Sequence, residues 1–148
     1  MILLVHLLLG AAIGSSTNNI PLALILAFLS HYFLDFFPHI EYPIENITKK
    51  QWRLAAPQIT MVFLDFLLGI LLIMFYSNNR LIVYVCAMLA IAPDGLTVLN
   101  YITPGKISKI NDLVHQKIHY FKNKKIPISW RFLFQAIAAL ASILLLKH

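Results

Sequence analysis

The sequence predicts an all-α protein, a polytopic membrane helix bundle. Of its 148 residues, 59% are hydrophobic and only 12% are charged, which is more apolar than an average soluble domain. The apolar residues are also collected into long segments rather than spread along the chain, as is typical of transmembrane helices. We therefore expect a single integral membrane domain over residues 1–148, in a plasma or inner membrane.

Five apolar segments define the predicted helices. Residues 20–37, 59–76, 81–99 and 128–146 each form a run of about 18 residues, long enough to cross about 30 Å of hydrocarbon. Residues 2–14 would reach only about 20 Å at the rise of an α-helix. This short N-terminal helix either spans incompletely or is buried against the others. The prediction is thus four full-length spans plus a short first helix.

The pattern of apolar and charged residues over 106–121 predicts an amphipathic helix. Apolar residues recur on one of its faces at 100° per residue, and lysines flank that face. They are Ile107, Ile110, Val114, Ile118 and Phe121. A helix of this kind lies in the plane of the membrane interface.

The basic residues predict the orientation of the bundle. With five crossings, ten of the 12 Lys and Arg residues fall on the side of the two long connections, whereas Arg80 and Lys147 fall on the other side. Because cytoplasmic loops carry the excess of positive charge, the long loops and the N-terminus are predicted to be cytoplasmic. The same rule accounts for the net charge of +6. We therefore expect membrane lipids as partners and no nucleic acid.

Ionisable residues interrupt the apolar segments. Each such group costs about 2.5 kcal/mol or more at the centre of a membrane helix, so its presence indicates function. The helical rise places all of them roughly 5 to 10 Å from the cytoplasmic ends of their predicted helices. These residues are His6, His31, Asp35, Asp65 and Asp94. Four separate segments therefore deliver polar groups to one shallow layer.

The spacing of the histidines points to metal binding. His31 and Asp35 are four residues apart and so share one face of a helix. A pair of this kind can ligate one ion, or the carboxylate can orient the imidazole. His115 and His119 repeat the spacing on the amphipathic helix, and an i,i+4 histidine pair is a recurring ligand arrangement. His39 follows at the same end of the second helix.

Charge balance also favours a metal. Three carboxylates at one depth repel one another, and the apolar segments that carry them contain no lysine or arginine, so a cation is needed to keep them ionised. Mixed nitrogen and oxygen ligands favour Zn, with Mn or Fe as alternatives, as one or two ions. The predicted ligands are His31, Asp35, His39, Asp94, His115 and His119. Asp65 is predicted as a ligand or general base, and His6 as a ligand or proton donor.

Several of these motifs resemble those of a known family. The motifs are the early His6, the helix with His31 and Asp35, the Pro-Asp element at Asp94, and the paired histidines that begin at His115. They resemble the small membrane-bound metal-dependent hydrolases described as LexA-binding, inner-membrane-associated hydrolases. The resemblance implies a helical membrane scaffold with a metal-dependent hydrolytic site.

Three functions are compatible with the sequence. The leading hypothesis is a membrane-embedded metal-dependent hydrolase that acts on an anionic lipid or phosphoester at the cytoplasmic interface, where the ion activates water. In the alternative, the same residues bind a metal ion or proton for transport, without hydrolysis. In the third, the polar residues only hold helices together, although such contacts average about 0.6 kcal/mol each.

Overall fold

The computed structural model describes residues 2–118 and 126–147, which form α-helices and no β-strand. The helices are α1 (Leu3–Ser16), α2 (Ile20–Phe36), α3 (Glu45–Thr48), α4 (Trp52–Tyr76), α5 (Leu81–Ile102), α6 (Lys106–Ile118) and α7 (Ile128–Leu146). The predicted all-α class is confirmed. The ends of α1, α2, α5 and α7 agree with the predicted ends to within three residues.

The predicted start of α4 is wrong, and α3 was not predicted. Helix α4 begins at Trp52, seven residues before the predicted residue 59. Residues 52–58 resemble a loop because they include Arg53 and Pro57. Pro57 lies inside α4, in its second turn, where it removes the hydrogen bond to the Arg53 carbonyl oxygen, yet the helix continues through it. The four-residue α3 lies within the long connection before α4.

Three helices are long and apolar enough to cross a membrane, namely α4, α5 and α7. Helix α2 is apolar but has 17 residues, and α1 has 14. The described residues thus form an apolar helical bundle with three candidate spans. The fourth predicted full-length span, α2, is somewhat shorter than expected.

The shortest of the apolar helices, α1, lies at the centre of the bundle. It packs against α2, α4, α5 and α7, and its Leu7, Leu8 and Ala11 are completely buried. The longer helices instead expose large apolar side chains, such as Phe75 and Leu81, which are 81% and 79% exposed. Helix α1 is therefore buried against the other helices, which is one of the two arrangements expected from its length.

Two glycines allow α1 to approach α5 closely. A Cβ atom at Gly10 would lie 2.6 Å from the Ala90 Cβ and the Cys86 carbonyl oxygen. At Gly14 a Cβ would lie 2.9 Å from the Ile82 carbonyl oxygen. Small residues four positions apart are a recurring way to bring membrane helices into backbone contact. This contact fixes the position of the α1 residues that precede it.

We expect Gly10→Ala to destabilise the bundle by about 1–3 kcal/mol, because its Cβ would overlap backbone atoms of α5. Gly95→Ala is the matched control, since a Cβ there meets nothing within 4 Å. Thermal unfolding of both variants in detergent would measure the difference. Equal stability of the two variants would contradict the close packing of α1 on α5.

Helix α6 turns its polar face towards the bundle. Its buried residues are Ser108, Asn111 and His115, whereas Ile107 and Ile110 are 74% and 61% exposed. The predicted amphipathic helix is confirmed over Lys106–Ile118. Residues 119–121 at its predicted end lie outside the described residues. The apolar stripe therefore faces away from the protein, as an interfacial helix requires.

Candidate metal centre

The fold brings most of the predicted site residues together around one carboxylate. Helix α2 supplies His31 and Asp35, and the segment that follows it supplies His39. The remaining residues are His6 from α1, Asp94 from α5 and His115 from α6. The Asp35 side chain is completely buried and lies within 3.7 Å of four histidine nitrogens.

Four of these residues form a group that could hold a metal ion: His31, Asp35, Asp94 and His115. One ligand atom from each lies within 4.8 Å of the others. The Asp35 Oδ2 is 3.1 Å from His31 Nε2 and 2.8 Å from His115 Nε2. The Asp94 Oδ1 is 3.7 Å and 3.5 Å from the same two nitrogens. Ligands of tetrahedral Zn lie about 3.3 Å apart, so the separations suit a single ion.

Hydrogen bonds select the ring nitrogen that each histidine presents. His31 Nδ1 lies 2.8 Å from the Ala90 carbonyl oxygen, which can only accept. The neutral His31 ring therefore donates from Nδ1 and keeps its lone pair on Nε2. The two Nε2 atoms of His31 and His115 lie 3.3 Å apart. A lone pair on Nε2 is what metal ligation requires.

Thr97 determines which ring nitrogen of His115 carries the proton. The Thr97 hydroxyl donates to the Pro93 carbonyl oxygen at 3.1 Å, and it accepts from Asn111 Nδ2 at 3.1 Å. His115 Nδ1 is 3.2 Å from the same hydroxyl oxygen. Because the single hydroxyl proton is already donated, Nδ1 of the neutral ring is the donor. His115 Nε2 lies 2.8 Å from the Asp35 Oδ2, which is an acceptor, so this nitrogen would direct a lone pair there only with a cation between the two atoms.

We expect Thr97→Val to weaken metal binding about 10–100-fold, because loss of the hydroxyl frees the His115 ring to adopt the other tautomer. Thr60→Val is a matched control, since the Thr60 hydroxyl donates only to the exposed Ala56 carbonyl. Titration of the metal-free proteins with Zn²⁺ would measure the affinities. Wild-type affinity in Thr97→Val would contradict the role of this hydroxyl.

His6 and His39 lie on the other side of the Asp35 carboxylate. The Asp35 Oδ1 is 3.3 Å from His6 Nε2 and 3.7 Å from His39 Nε2. The rings of His6 and His31 stack with centroids 4.3 Å apart. Both histidines therefore belong to the same buried cluster, although neither is part of the four-residue group.

Asp65 lies apart from this cluster. Its Oδ2 accepts a hydrogen bond of 2.8 Å from the backbone N–H of Leu4, in the first turn of α1. The N-terminus of a helix has unpaired donors and a partial positive charge, so a carboxylate there is stabilised without a metal. This contact gives Asp65 a structural role in docking α1 on α4.

We expect Asp65→Ala to lower stability by about 1 kcal/mol, the usual cost of losing a helix cap, while metal binding is retained. Asp65→Asn should be milder, because the amide oxygen can still accept from Leu4. Unfolding and metal content of both variants would be compared with wild type. Loss of metal in Asp65→Asn would instead support the predicted role of Asp65 as a metal ligand. Loss of activity with the metal retained would support its predicted role as a general base.

A cavity of about 730 Å³ reaches the four-residue group. Asp94 and His115 belong to both the group and the cavity wall. Half of the other fourteen lining residues are aliphatic, namely Leu3, Ile44, Ile47, Ile59, Val62, Ile91 and Val98, and the polar ones include Glu41, Asp112 and Gln116. Tyr42 also lines the cavity, and burial, together with the neighbouring Asp65 carboxylate, raises the pKa of its phenol. Tyr42 therefore stays protonated and can donate a hydrogen bond.

Three residues at this site were not predicted from the sequence, namely Thr97, Asn111 and Glu41. Thr97 lies one turn after Asp94, and Asn111 one turn before His115, so helical spacing from a predicted ligand could have found both. Glu41, whose Oε1 is 3.5 Å from His39 Nε2, follows His39 by two residues. The predicted ligand His119 lies outside the described residues.

The fold and the site together define an apolar helical protein with a buried His/Asp group that could hold a metal ion. No family model, no curated protein and no solved structure matches the chain.

Proposed function

We propose that the protein is a membrane-embedded metal-dependent hydrolase that acts on a lipid ester or phosphoester. The observation that carries this proposal is the opening of the four-residue group into a largely apolar cavity. Asp94 and His115 belong to both, so a ligand in the cavity would meet the ion directly. The volume of about 730 Å³ is within the range of small-molecule sites. The ligand set favours Zn, with Mn or Fe as alternatives.

A divalent ion in this group would polarise a phosphoryl or ester oxygen and lower the pKa of water. In the hydrolysis, the water oxygen bonds to the phosphorus or carbonyl carbon, the bond to the alcohol breaks, and a proton passes to that alcohol. Asp94 and His115 line the cavity, whereas Asp35 and His31 do not, so Asp94 and His115 would hold the ion on the side that a substrate reaches. Tyr42 lines the same cavity and can donate a hydrogen bond to a substrate oxygen.

The orientation proposed for the bundle places this site at the cytoplasmic interface. The lysines of α6, Lys106, Lys109 and Lys117, would then lie near anionic headgroups, which attract basic segments. The proposed activity is also the one implied by the resemblance to the LexA-binding, inner-membrane-associated hydrolases, which rests on the motifs alone.

The test is hydrolysis by the purified protein in detergent. Metal-free protein would be supplied with Zn²⁺, Mn²⁺ or Fe²⁺ and given phospholipids of different headgroup, and release of phosphate, headgroup and fatty acid would be measured. We expect metal-dependent release by wild type and by Glu45→Gln, whose side chain is 82% exposed, and none by Asp94→Asn. Metal-loaded protein that releases no product would overturn the proposal, and metal flux into sealed vesicles would favour transport.

A further inference from the structure

The cavity beside the metal group has two chemically different walls. The wall that α6 forms is polar, with Asp112, His115 and Gln116. Opposite in character, the described residues that α1, α3 and α4 contribute to the lining are all aliphatic, namely Leu3, Ile47, Ile59 and Val62. Helix α5 contributes residues of both kinds, such as Asp94 and Val98. A ligand that matches both walls is an amphiphile.

This cavity lies between two of the candidate spans, α4 and α5, which both line it. Helix α1 packs against both of these helices and forms one side of the space. Helix α3 also packs against both, and it lies near the end of the bundle where α4 begins. The cavity is therefore bounded by α1 and covered by α3.

The exposed lining residues show where the cavity opens. They are Ile59 on α4, Gly95 on α5 and Gln116 on α6. Ile59 lies seven residues after the start of α4, and Gly95 lies seven residues before the end of α5. The helical rise places both about 10 Å from those helix ends, at the depth of the lipid chains for helices that cross a bilayer. The mouth of the cavity thus extends from α6 into the hydrocarbon layer.

The energetics favour a ligand that comes from the bilayer. Lipid tails are as apolar as aliphatic side chains, so a hydrocarbon chain moves from the bilayer to the aliphatic wall at little cost. A polar ligand from water would lose its hydration against that wall without gaining hydrogen bonds. The polar group of an amphiphile instead meets the opposite wall, where Asp94 and His115 belong to the metal group.

We propose that a hydrocarbon chain of a membrane lipid enters this cavity sideways, between Ile59 and Gly95, and lies against the aliphatic wall. The bond to be hydrolysed then lies beside Asp94 and His115. This inference rests on the proposed function for the reaction itself. It specifies the substrate class as a lipid with a flexible chain next to its ester or phosphoester, which reaches the site from within the bilayer.

Photochemical labelling tests the path of the chain without reference to catalysis. The protein would be placed in nanodiscs that contain phosphatidylglycerol with a diazirine in one acyl chain, illuminated, and digested for mass spectrometry. Three residues of α4 serve as reporters: Val62 lines the cavity, Phe63 is 56% exposed on the outer surface, and Ile73 is completely buried. We expect labelling of Val62 and Phe63 and none of Ile73.

A block at the mouth distinguishes a chain inside the cavity from lipid around the bundle. A Cβ at Gly95 meets nothing within 4 Å, so Gly95→Phe should fold and place its ring in the mouth. We expect it to lower the labelling of Val62 about tenfold, because overfilling a packed space is costly, and to leave Phe63 unchanged. Ile59→Trp narrows the same mouth from α4 and should act alike, so the result does not depend on one variant.

The matched control is Leu99→Phe, which adds the same ring to α5 at a residue that is 47% exposed and outside the cavity wall. It should label as wild type does. Wild-type protein in which Val62 stays unlabelled, like Ile73, would overturn the proposal, as would full labelling of Val62 in both blocked variants. Labelling as expected without hydrolysis would refute the proposed function alone, and lipid hydrolysis with Val62 unlabelled would refute only the path of the chain.

Discussion

Replacement of Asp35 by Asn should abolish metal binding. The carboxylate is completely buried, and its two oxygens face four histidine nitrogens at 2.8 to 3.7 Å. Asparagine keeps the size of the side chain but removes the charge that holds a cation. Loss of a hydrogen bond that only supports a ligand lowers metal affinity about 10–100-fold. Loss of the Asp35 carboxylate itself should therefore lower the affinity by more than about 100-fold. Elemental analysis of the purified variant would measure the retained metal.

The control for this variant is Asp112→Asn. Asp112 belongs to α6, like His115, but its Oδ2 accepts from Gln116 Nε2 at 2.9 Å and lies outside the cluster. We expect it to retain the wild-type metal content. If Asp35→Asn also retained that content, the group around Asp35 could not be the metal centre.

Removal of the metal should loosen α6 and lower the thermal stability of the bundle. The helix is attached through its polar residues, while its apolar side chains face outwards, so little apolar burial holds it in place. A ligand at 1,000 times its dissociation constant stabilises the folded state by about 4 kcal/mol. For a chain of this length that corresponds to a fall in Tm of roughly 10 °C on chelation.

The measurement is thermal unfolding in detergent with and without a chelator, together with tryptic cleavage at the lysines of α6. Cleavage should be faster without metal, because Lys106, Lys109 and Lys117 become accessible as the helix detaches. Asp35→Asn serves as the control, since its Tm should not respond to the chelator. An unchanged Tm in wild type that had been shown to contain metal would contradict this account.

The hydropathy pattern predicted the positions of most helices well, but it did not predict which helices pack against one another. The runs that became α5 and α7 are continuous in the sequence, so their ends could be placed to within three residues. The early part of α4 could not be recognised, because Arg53 and Pro57 give it the composition of a loop. Nor does hydropathy show that α1 lies at the centre, since this depends on which neighbours its glycines can approach.

The site residues could be predicted where helical spacing and position along the helix determine where the side chain lies. His31 and Asp35 share a face of α2 in any helical register, and Asp94 lies near the same end of its own helix. Asp65 satisfied the depth criterion equally well, yet it caps the start of α1. Which helix a carboxylate contacts depends on how the helices pack. The position of the residue along its own helix does not determine this. Glu41 lies in a segment without regular structure, where no periodicity relates it to a ligand.

The central position of α1 has a consequence for the biogenesis of the protein. This helix leaves the ribosome before the four helices that surround it, and its length of 14 residues gives it little independent hold on a bilayer. Its burial must therefore wait for the helices that pack around it, of which α7 comes last in the chain. Because His6 travels with α1, the buried cluster can close only after α6, which carries His115, has been translated. Truncation within α7 should accordingly leave the first helix accessible to quality-control proteases.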